Sequence, residues 1–352
     1  MQNDDSQYQQ SIREPLVSPL VTFALFAFNQ ESYVREAVRA ALAQTYRPLE
    51  VILSDDASSD RTFEIMEDEA RCCPRDVRLI LNRNEQNLGI GNHINKVVAM
   101  SGGEFLVLAS GDDKSLPHRA LVSVEALLAD DRQRPALHST VTHADAKGNL
   151  LHDRWNSFRA FLGSPEAVLA NDACLTGSSV TVRRSIYTDF PGLNADVVNE
   201  DKITAFRCAF FGGAIYVDEP LTIYRVGVGV ATLKGDLLLS REDPEREARY
   251  IRTNLVRRLA VLKQMQVDAE SSVLIGRISP VTRRKILAMA TSVARVLSFV
   301  DAPKLAQLPV LLAAGGLNRK TLKIAILYLA PGLFRRYKLL RKNHSAASKR
   351  EI

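Results

Sequence analysis

Four short apolar runs alternate with amphipathic helix patterns through the first third of this 352-residue chain. The apolar runs cover residues 20–28, 49–54, 77–81 and 105–108, and the helix patterns cover residues 33–44, 62–70 and 90–99. Strands that alternate with helices are joined by right-handed crossovers and pair in parallel. The sequence therefore predicts an α/β, Rossmann-like fold with a mostly parallel central sheet flanked by helices.

Two pairs of neighbouring aspartates follow predicted strands. Asp55-Asp56 comes after the second strand, and Asp112-Asp113 comes after the fourth. The carboxyl ends of parallel strands meet at one edge of a sheet, where ligands bind. Like charges gathered there need a cation, and an oxygen-only ligand set suits Mg²⁺ or Mn²⁺. Solvated turns are the alternative, since aspartate favours turns, but two pairs at one edge favour a polar ligand site.

Charge is distributed unevenly along the chain. Residues 245–352 contain 22 Lys and Arg against 6 Asp and Glu, whereas residues 1–244 contain 24 against 34. A basic region attached to an acidic body is expected to face phosphate-rich partners. Nucleic acid is not the expected partner, because no nucleic-acid-binding motif is present and few aromatic residues are interleaved with the cations.

The remaining features of composition concern the compartment. Residues 1–17 predict a disordered leader without the basic and apolar regions of a signal peptide. The four cysteines follow neither a zinc pattern nor a disulfide framework, which favours reduced thiols in the cytoplasm. No apolar run approaches the roughly 18 residues that a membrane-spanning helix needs. We expect a cytoplasmic protein that does not cross a bilayer.

Several motifs together carry a family resemblance. They are Phe28-Asn29-Gln30-Glu31, the run Val-Ile-Leu-Ser-Asp-Asp-Ala-Ser-Ser-Asp-Arg-Thr at 51–62, Asn87-Leu-Gly89, and Ser110-Gly-Asp-Asp113. In this order and spacing they resemble the nucleotide-binding half of a family 2 glycosyltransferase of GT-A fold, of the type that builds bacterial cell-surface polysaccharides. The resemblance continues more loosely to Tyr224-Arg225, so residues 18–235 are expected to form the GT-A domain.

The resemblance implies a binding site for a nucleotide-sugar donor. In it Ala27 and Phe28 hold the base and sugar ring, Glu31 lies on the ribose side, and Asp56 accepts a hydrogen bond from a base N–H, which favours a UDP- or dTDP-linked donor. The remaining donor-binding residues are Asp55, Asn87, Gly89, Asp112 and Arg225. A turn followed by a helix N-cap is the alternative for Asp55-Asp56, and both interpretations are compatible.

The resemblance also implies a metal site and a catalytic base. Asp112 and Asp113 are assigned to Mg²⁺ or Mn²⁺, although Ser110 replaces the first acid of the family motif. Asp201 matches the base that removes the acceptor hydroxyl proton, and Glu200 orients the acceptor or its loop. Spacing alone favours the alternative that Glu200-Asp201 is only the acidic first turn of a helix, and the resemblance favours Asp201 as the base. The His that family members often carry after Tyr224-Arg225 is missing here, and Arg225 is expected to compensate.

After residue 235 the pattern becomes helical and basic. Residues 242–267 and 280–300 predict helices, and residues 304–341 alternate apolar stretches with cations. This region, 236–352, predicts a C-terminal helical extension that lies on an anionic membrane surface. The alternatives are a helical pair packed on the catalytic domain and a homo-oligomer interface.

The expected function is that of an inverting, metal-dependent glycosyltransferase. It would act at the cytoplasmic membrane face on a glycan or lipid-linked acceptor. Two alternatives remain: a catalytically degenerate nucleotide-sugar-binding scaffold, favoured by Ser110 and the missing His, and a nucleotidyltransferase, which would normally show a Gly-rich basic triphosphate loop that this chain lacks.

Overall fold

The computed structural model describes residues 18–155, 163–170, 175–229 and 244–302. The leader predicted at 1–17 and the segment 304–341 lie outside the described residues. Within them, a nine-stranded sheet is covered by helices on both faces. The predicted α/β architecture is therefore confirmed.

The first half of the fold repeats a strand followed by a helix. Its elements are β1 (Val21–Ala27), α1 (Val34–Leu42), β2 (Leu49–Asp55), α2 (Thr62–Ala70), β3 (Val77–Arg83), α3 (Gly89–Met100) and β4 (Phe105–Ser110). The strands pair in parallel, with β1 between β2 and β4 and with β3 beyond β2. Each element lies where the hydrophobic periodicity predicts it.

The second half extends the sheet with strands of mixed direction. Its elements are β5 (Lys114–Ser115), α4 (Arg119–Leu128), β6 (Ala136–Ala144), β7 (Leu150–Trp155), α5 (Pro165–Ala170), β8 (Val180–Arg183), α6 (Ser185–Thr188), α7 (Glu200–Ala209) and β9 (Ala214–Arg225). The strand order is β3-β2-β1-β4-β8-β6-β9-β5, and β7 pairs with β6. β8 runs antiparallel to β4 and β6, so parallel pairing is confined to the first four strands and to β6 with β9.

Two apolar cores lie on opposite faces of this sheet. Successive side chains of a strand point to opposite faces, so β1 sends Ala24 into one core and Phe23 and Leu25 into the other. The first core packs against α3 and α7, and the second packs against α1, α2 and α4. Burial on both faces explains why the first strands are almost continuously apolar in sequence.

Two long helices complete the described fold, α8 (Pro244–Glu270) and α9 (Pro280–Asp301). Both confirm helices predicted from periodicity. The Ser279 side chain caps α9 by accepting a hydrogen bond from the Thr282 N–H at 3.0 Å. Val261 and Met265 of α8 belong to the same core as Phe206 of α7. None of the helices in the described ranges is both long enough and apolar enough to span a membrane.

A buried ion pair joins α8 to α7. The Arg207 side chain on α7 donates to both carboxylate oxygens of Asp268, at 2.8 and 2.9 Å, and neither side chain is exposed. Nη1 donates to the backbone carbonyl of Ile186, and Nη2 donates to that of Pro191 as well as to Asp268. Every nitrogen of the guanidinium thereby donates at least one hydrogen bond, which offsets the cost of burying a charge.

Removal of one partner should therefore be strongly destabilising. We expect Asp268→Ala to lower the free energy of unfolding by about 3–5 kcal/mol, because Arg207 would stay buried with its charge unpaired. Urea denaturation followed by circular dichroism measures the change. Asp301→Ala is the matched control: it breaks the half-exposed Arg252–Asp301 pair, which should contribute about 0–1 kcal/mol. Equal small losses in both variants would contradict this account.

Candidate active site

The predicted site forms where three parallel strands end side by side. The Asp56 N–H donates to the Ala27 carbonyl at 2.9 Å, and the Gly111 N–H donates to the Phe26 carbonyl at 2.8 Å. The end of β1 therefore lies between the two aspartate pairs. The structure brings Asp55-Asp56 and Asp112-Asp113 to one edge of the sheet.

The loop after β1 is tied to the loop after β2. The Asn29 N–H donates to Ser58 Oγ at 2.8 Å, and the Glu31 N–H donates to Asp60 at 3.1 Å. Asn29 adopts a φ of 51°, in the left-handed region. This geometry turns the chain so that the Phe28 side chain is 45% exposed. An exposed ring at a strand end is a suitable surface for stacking a planar group.

Asp55 and Asp56 are both buried, and each is hydrogen-bonded within the protein. Asp55 accepts bonds from the N–H and the hydroxyl of Ser58. Asp56 accepts from the Asn84 side chain at 2.7 Å and from the N–H groups of Leu88 and Gly89 at 2.9 and 3.1 Å. A carboxylate offers about four lone-pair positions. Asp56 thus fixes the start of α3 and retains room for about one further donor.

Asn87 and Gly89 stabilise the turn that precedes α3. The exposed Asn87 side chain accepts a hydrogen bond from the Gly89 N–H at 3.1 Å. Gly89 has a φ of +72°, a conformation that L-residues with side chains rarely adopt. Behind the turn, Ser54 Oγ lies 2.6 Å from His93 Nε2. Burial lowers the pKa of His93, which favours the neutral ring.

Asp112 and Asp113 form a buried pair whose negative charges repel each other. Burial, together with the neighbouring Asp112 carboxylate, raises the pKa of Asp113 to about 8. Burial also raises the pKa of Asp112, against the hydrogen bond from Gln30. The Arg225 N–H donates to Asp113 Oδ1 at 2.9 Å.

These two aspartates fit a hard divalent cation on chemical grounds, because a cation would relieve both their burial and their repulsion. Among the described residues there is no group of three or more His, Cys, Asp or Glu side chains that could hold a metal. An ion held here would take its other ligands from water and from substrate phosphates, as Mg²⁺ commonly does.

Arg225 is placed to hold the loop that carries the aspartates. Its Nη1 donates to the Asp112 carbonyl at 2.7 Å, and its Nη2 donates to Glu36 at 2.9 Å. The central carbon of the guanidinium also lies 5.2 Å from the centroid of the Tyr33 ring. Only its Nε, which is buried, lacks a partner among the described residues. Both terminal nitrogens are therefore engaged by the protein.

Glu200 and Asp201 are the first two residues of α7, as the acidic first-turn interpretation expects. Burial and the Asp201 charge raise the pKa of Glu200 to about 8. A carboxyl with that pKa keeps its proton at neutral pH and can donate a hydrogen bond. Gly177 leaves space for it, since a Cβ there would lie 3.0 Å from Glu200 Oε1.

Tyr224 lies near both the Asp112-Asp113 pair and Asp201. Burial raises the pKa of its phenol to about 12, and three nearby carboxylates add to the shift. These carboxylates are Asp113, Asp112 and Asp201. Acids predicted from two distant parts of the sequence, 112–113 and 201, therefore lie close enough to one side chain to shift its pKa.

The sequence did not predict the close packing of Gly111 on Gln30 and of Gly229 on Asp112. Gln30 packs on Gly111, where a Cβ would lie 2.5 Å from Gln30 Oε1. Gly229 has a φ of +68°, and a Cβ there would lie 2.2 Å from Asp112 Oδ2. The two glycines of the run 226–230 were the available signal, because closely spaced glycines often mark a close approach of the backbone.

The comparison with known families agrees with this geometry. Residues 22–189 match the model of glycosyl transferase family 2. These residues are a family 2 glycosyltransferase domain.

Relatives and solved structures extend the comparison. An uncharacterized protein of Mycobacterium tuberculosis is 33% identical over 203 residues, which are 56% of this chain and 56% of the relative. Chondroitin synthase of Escherichia coli is 33% identical over 141 residues, 39% of this chain and 19% of the synthase. The chain thus spans about half the length of the Mycobacterium relatives that it matches.

Two solved structures share the fold at low identity. Residues 1–349 of S. aureus TarS, in complex with UDP-GlcNAc, superimpose with a TM-score of 0.51 and 14% identity. The match covers 88% of this chain and 81% of that TarS fragment. A mannosyltransferase from Pyrobaculum calidifontis, in complex with GDP-Man and Mn²⁺, superimposes with a TM-score of 0.52 and 17% identity. The match covers 93% of this chain and 86% of the mannosyltransferase. The family 2 domain therefore has the GT-A fold that its motifs predict.

The glycines after β9 offer a test of the Asp112 position. If the site binds a nucleoside diphosphate with Mn²⁺, as proposed below, Gly229→Ala should displace the Asp112 carboxylate and weaken that binding, measured with UDP, by about tenfold, equivalent to about 1.4 kcal/mol. Gly227→Ala is the control, because Gly227 also has a positive φ, +81°, but a Cβ there meets nothing within 4 Å. Both variants carry a backbone cost of about 1–2 kcal/mol. Isothermal titration calorimetry measures the affinity, and equal losses in both variants would exclude a role for Asp112 contact.

Proposed function

We propose that the protein transfers a sugar from a nucleotide-sugar donor to a hydroxyl group of a glycan or lipid-linked acceptor, with inversion at the anomeric carbon. The observation that carries the proposal is that Asp112, Asp113 and Asp201 all lie near Tyr224, at the edge of the sheet where β1 and β4 end. Glycosyl transfer needs a group that holds the diphosphate and a base that activates the acceptor. This arrangement offers candidates for both at one edge of the sheet.

The donor would lie over the ends of β1 and β2. Phe28 offers its exposed ring to the base, beside Ala27, and Glu31 lies in the loop on the ribose side. Asp55 holds the Ser58 turn that supports this loop. The remaining lone pair of Asp56 would accept the ring N–H of uracil or thymine, so the proposed donor is linked to UDP or dTDP. TarS is in complex with UDP-GlcNAc and the mannosyltransferase with GDP-Man, so the proposal of a pyrimidine nucleotide rests on Asp56.

Mg²⁺ or Mn²⁺ would be held by Asp112 and Asp113. When bound, such an ion neutralises the negative charge of the diphosphate leaving group. The Mn²⁺ in the mannosyltransferase structure supports this assignment. Arg225 would then act as a positioning residue, because its backbone N–H and its side chain hold Asp113 and the Asp112 carbonyl.

The chemical step would use Asp201 as general base. Its carboxylate takes the proton of the acceptor hydroxyl while the hydroxyl oxygen bonds to the anomeric carbon and the bond from that carbon to the diphosphate oxygen breaks. Attack on the face opposite the diphosphate inverts the configuration. Glu200, which keeps its proton at neutral pH, would donate a hydrogen bond that orients the acceptor.

Substitution of the base tests this function. Asp201→Asn should lower the rate of transfer by about 10²–10⁴, the usual contribution of a general base, with little change in UDP affinity. The assay incubates the purified protein with UDP- and dTDP-sugars, Mn²⁺ and candidate acceptors. Asp196→Asn is the matched control, because Asp196 is exposed in the loop before α7 and should retain full activity.

The same assay tests the alternative that the protein is a catalytically degenerate scaffold that only binds a nucleotide-sugar. The observation that favours this alternative is Ser110, which replaces an acid of the family motif. Donor binding by the natural protein without turnover on any donor or acceptor would support the scaffold. Activity that survives Asp201→Asn would contradict the assignment of the base.

We also propose that the basic C-terminal region attaches the enzyme to the cytoplasmic face of the membrane, where cell-surface polysaccharides are started. The sequence from 304 to 341 combines apolar stretches with cations, which attract anionic head groups. Deletion of residues 304–352 should abolish co-sedimentation with vesicles that contain anionic lipid. Unchanged co-sedimentation would remove this proposal, and vesicles of neutral lipid are the control.

A further inference from the structure

A cavity of about 270 Å³ lies beside the first turn of α7. Its walls come from α5, α8 and α9 as well as α7. One side is apolar, formed by residues that include Val261, Met265 and Met289. Asn199 and Lys202, which flank the Glu200-Asp201 pair in the chain, also line it. The cavity therefore opens within one helical turn of the proposed base.

The polar side of this cavity is cationic. Lys202, Arg257 and Arg258 line it, and none of the described lining residues is acidic. The side chains of Arg257 and Arg258 form no hydrogen bond or ion pair with any other residue that the structure describes. Burial lowers the pKa of Arg257, because it disfavours the charged form. Two unpaired guanidinium groups at the mouth of a cavity predict an anionic occupant.

The apolar walls narrow the chemistry of the occupant. The described lining residues include no aromatic side chain on which a sugar ring or a nucleobase could stack. Valine, leucine and methionine side chains instead match a hydrocarbon chain. The occupant should thus carry a compact anion and an apolar chain next to each other.

We propose that this cavity binds the phosphoryl group and the first apolar segment of a lipid-linked acceptor. Arg257 and Arg258 bind the phosphoryl oxygens, and the hydrocarbon lies along α8 and α9. The attached sugar then extends past the N-terminus of α7 toward Asp201. This inference rests on the proposed function, since it assigns the acceptor of the same reaction.

Binding of hexyl phosphate to the full chain tests the cavity without any turnover. Calorimetry should detect binding that falls by about tenfold or more in the double variant Arg257→Ala/Arg258→Ala, equivalent to about 1.4 kcal/mol or more. Arg257→Lys/Arg258→Lys keeps the charge and should retain part of the affinity. The matched control is Arg284→Ala/Arg295→Ala, which removes two exposed arginines of α9 that do not line the cavity and should bind as the natural protein does.

Two further probes identify the part of the ligand that is recognised. Glycerol 1-phosphate lacks the apolar chain and hexyl glucoside lacks the anion, so both should bind more weakly than hexyl phosphate. Equal binding of glycerol 1-phosphate and hexyl phosphate would overturn the assignment to a lipid-linked acceptor. Equal losses in the cavity variant and the control variant would overturn the site itself.

UDP affinity in the presence of Mn²⁺, measured on the same variants, separates this inference from the proposed function. The cavity variant should bind UDP as the natural protein does, which also shows that it is folded. Loss of hexyl phosphate binding only in the cavity variant supports the site even where the Asp201 assay finds no transfer. Transfer by a protein that fails to bind hexyl phosphate overturns the cavity inference and leaves the proposed function intact.

Discussion

The repulsion between carboxylates buried at one sheet edge is the interaction on which the rest of the site depends. Asp112, Asp113, Glu200 and Asp201 come from two separate strand and helix ends, and burial raises the pKa of the first three. Charge of this kind persists in a folded protein only where protons, cations or hydrogen-bond donors compensate it. The protein supplies part of that compensation through Gln30 and the Arg225 N–H. The proposed cation would supply the compensation that the protein lacks, and the diphosphate would bind next to it.

The mixed half of the sheet provides these compensating groups. β9 lies parallel to β6 and ends at Arg225, so the C-terminal end of this strand faces the loop after β4. The chain then continues through Gly227 and Gly229, whose positive φ values let the backbone pass close to the Asp112 carboxylate.

Much of this arrangement follows from local patterns in the sequence, and the rest depends on contacts that local patterns do not encode. Alternation of apolar runs and helix patterns predicted the first four strands, and parallel pairing then predicted that Asp55-Asp56 and Asp112-Asp113 share an edge. The same patterns did not reveal that the backbone N–H groups of Leu88 and Gly89 donate hydrogen bonds to the Asp56 carboxylate. They also did not reveal that Arg225 binds Glu36, a residue 189 positions away. Such partners are chosen by tertiary packing, which periodicity does not specify.

The helix α7 links the chemistry of the site to the C-terminal helices. Its first turn places Glu200 against Gly177 on the side of the sheet edge, while Asn199 and Lys202 line the cavity on the side of α8. Arg207, two turns further along, binds Asp268 of α8 and so holds the two helices in fixed register. A base must be held within a fraction of an ångström of its substrate to be effective. The buried ion pair therefore matters for more than stability, because it fixes the distance between the proposed base and the cationic cavity that would hold its acceptor.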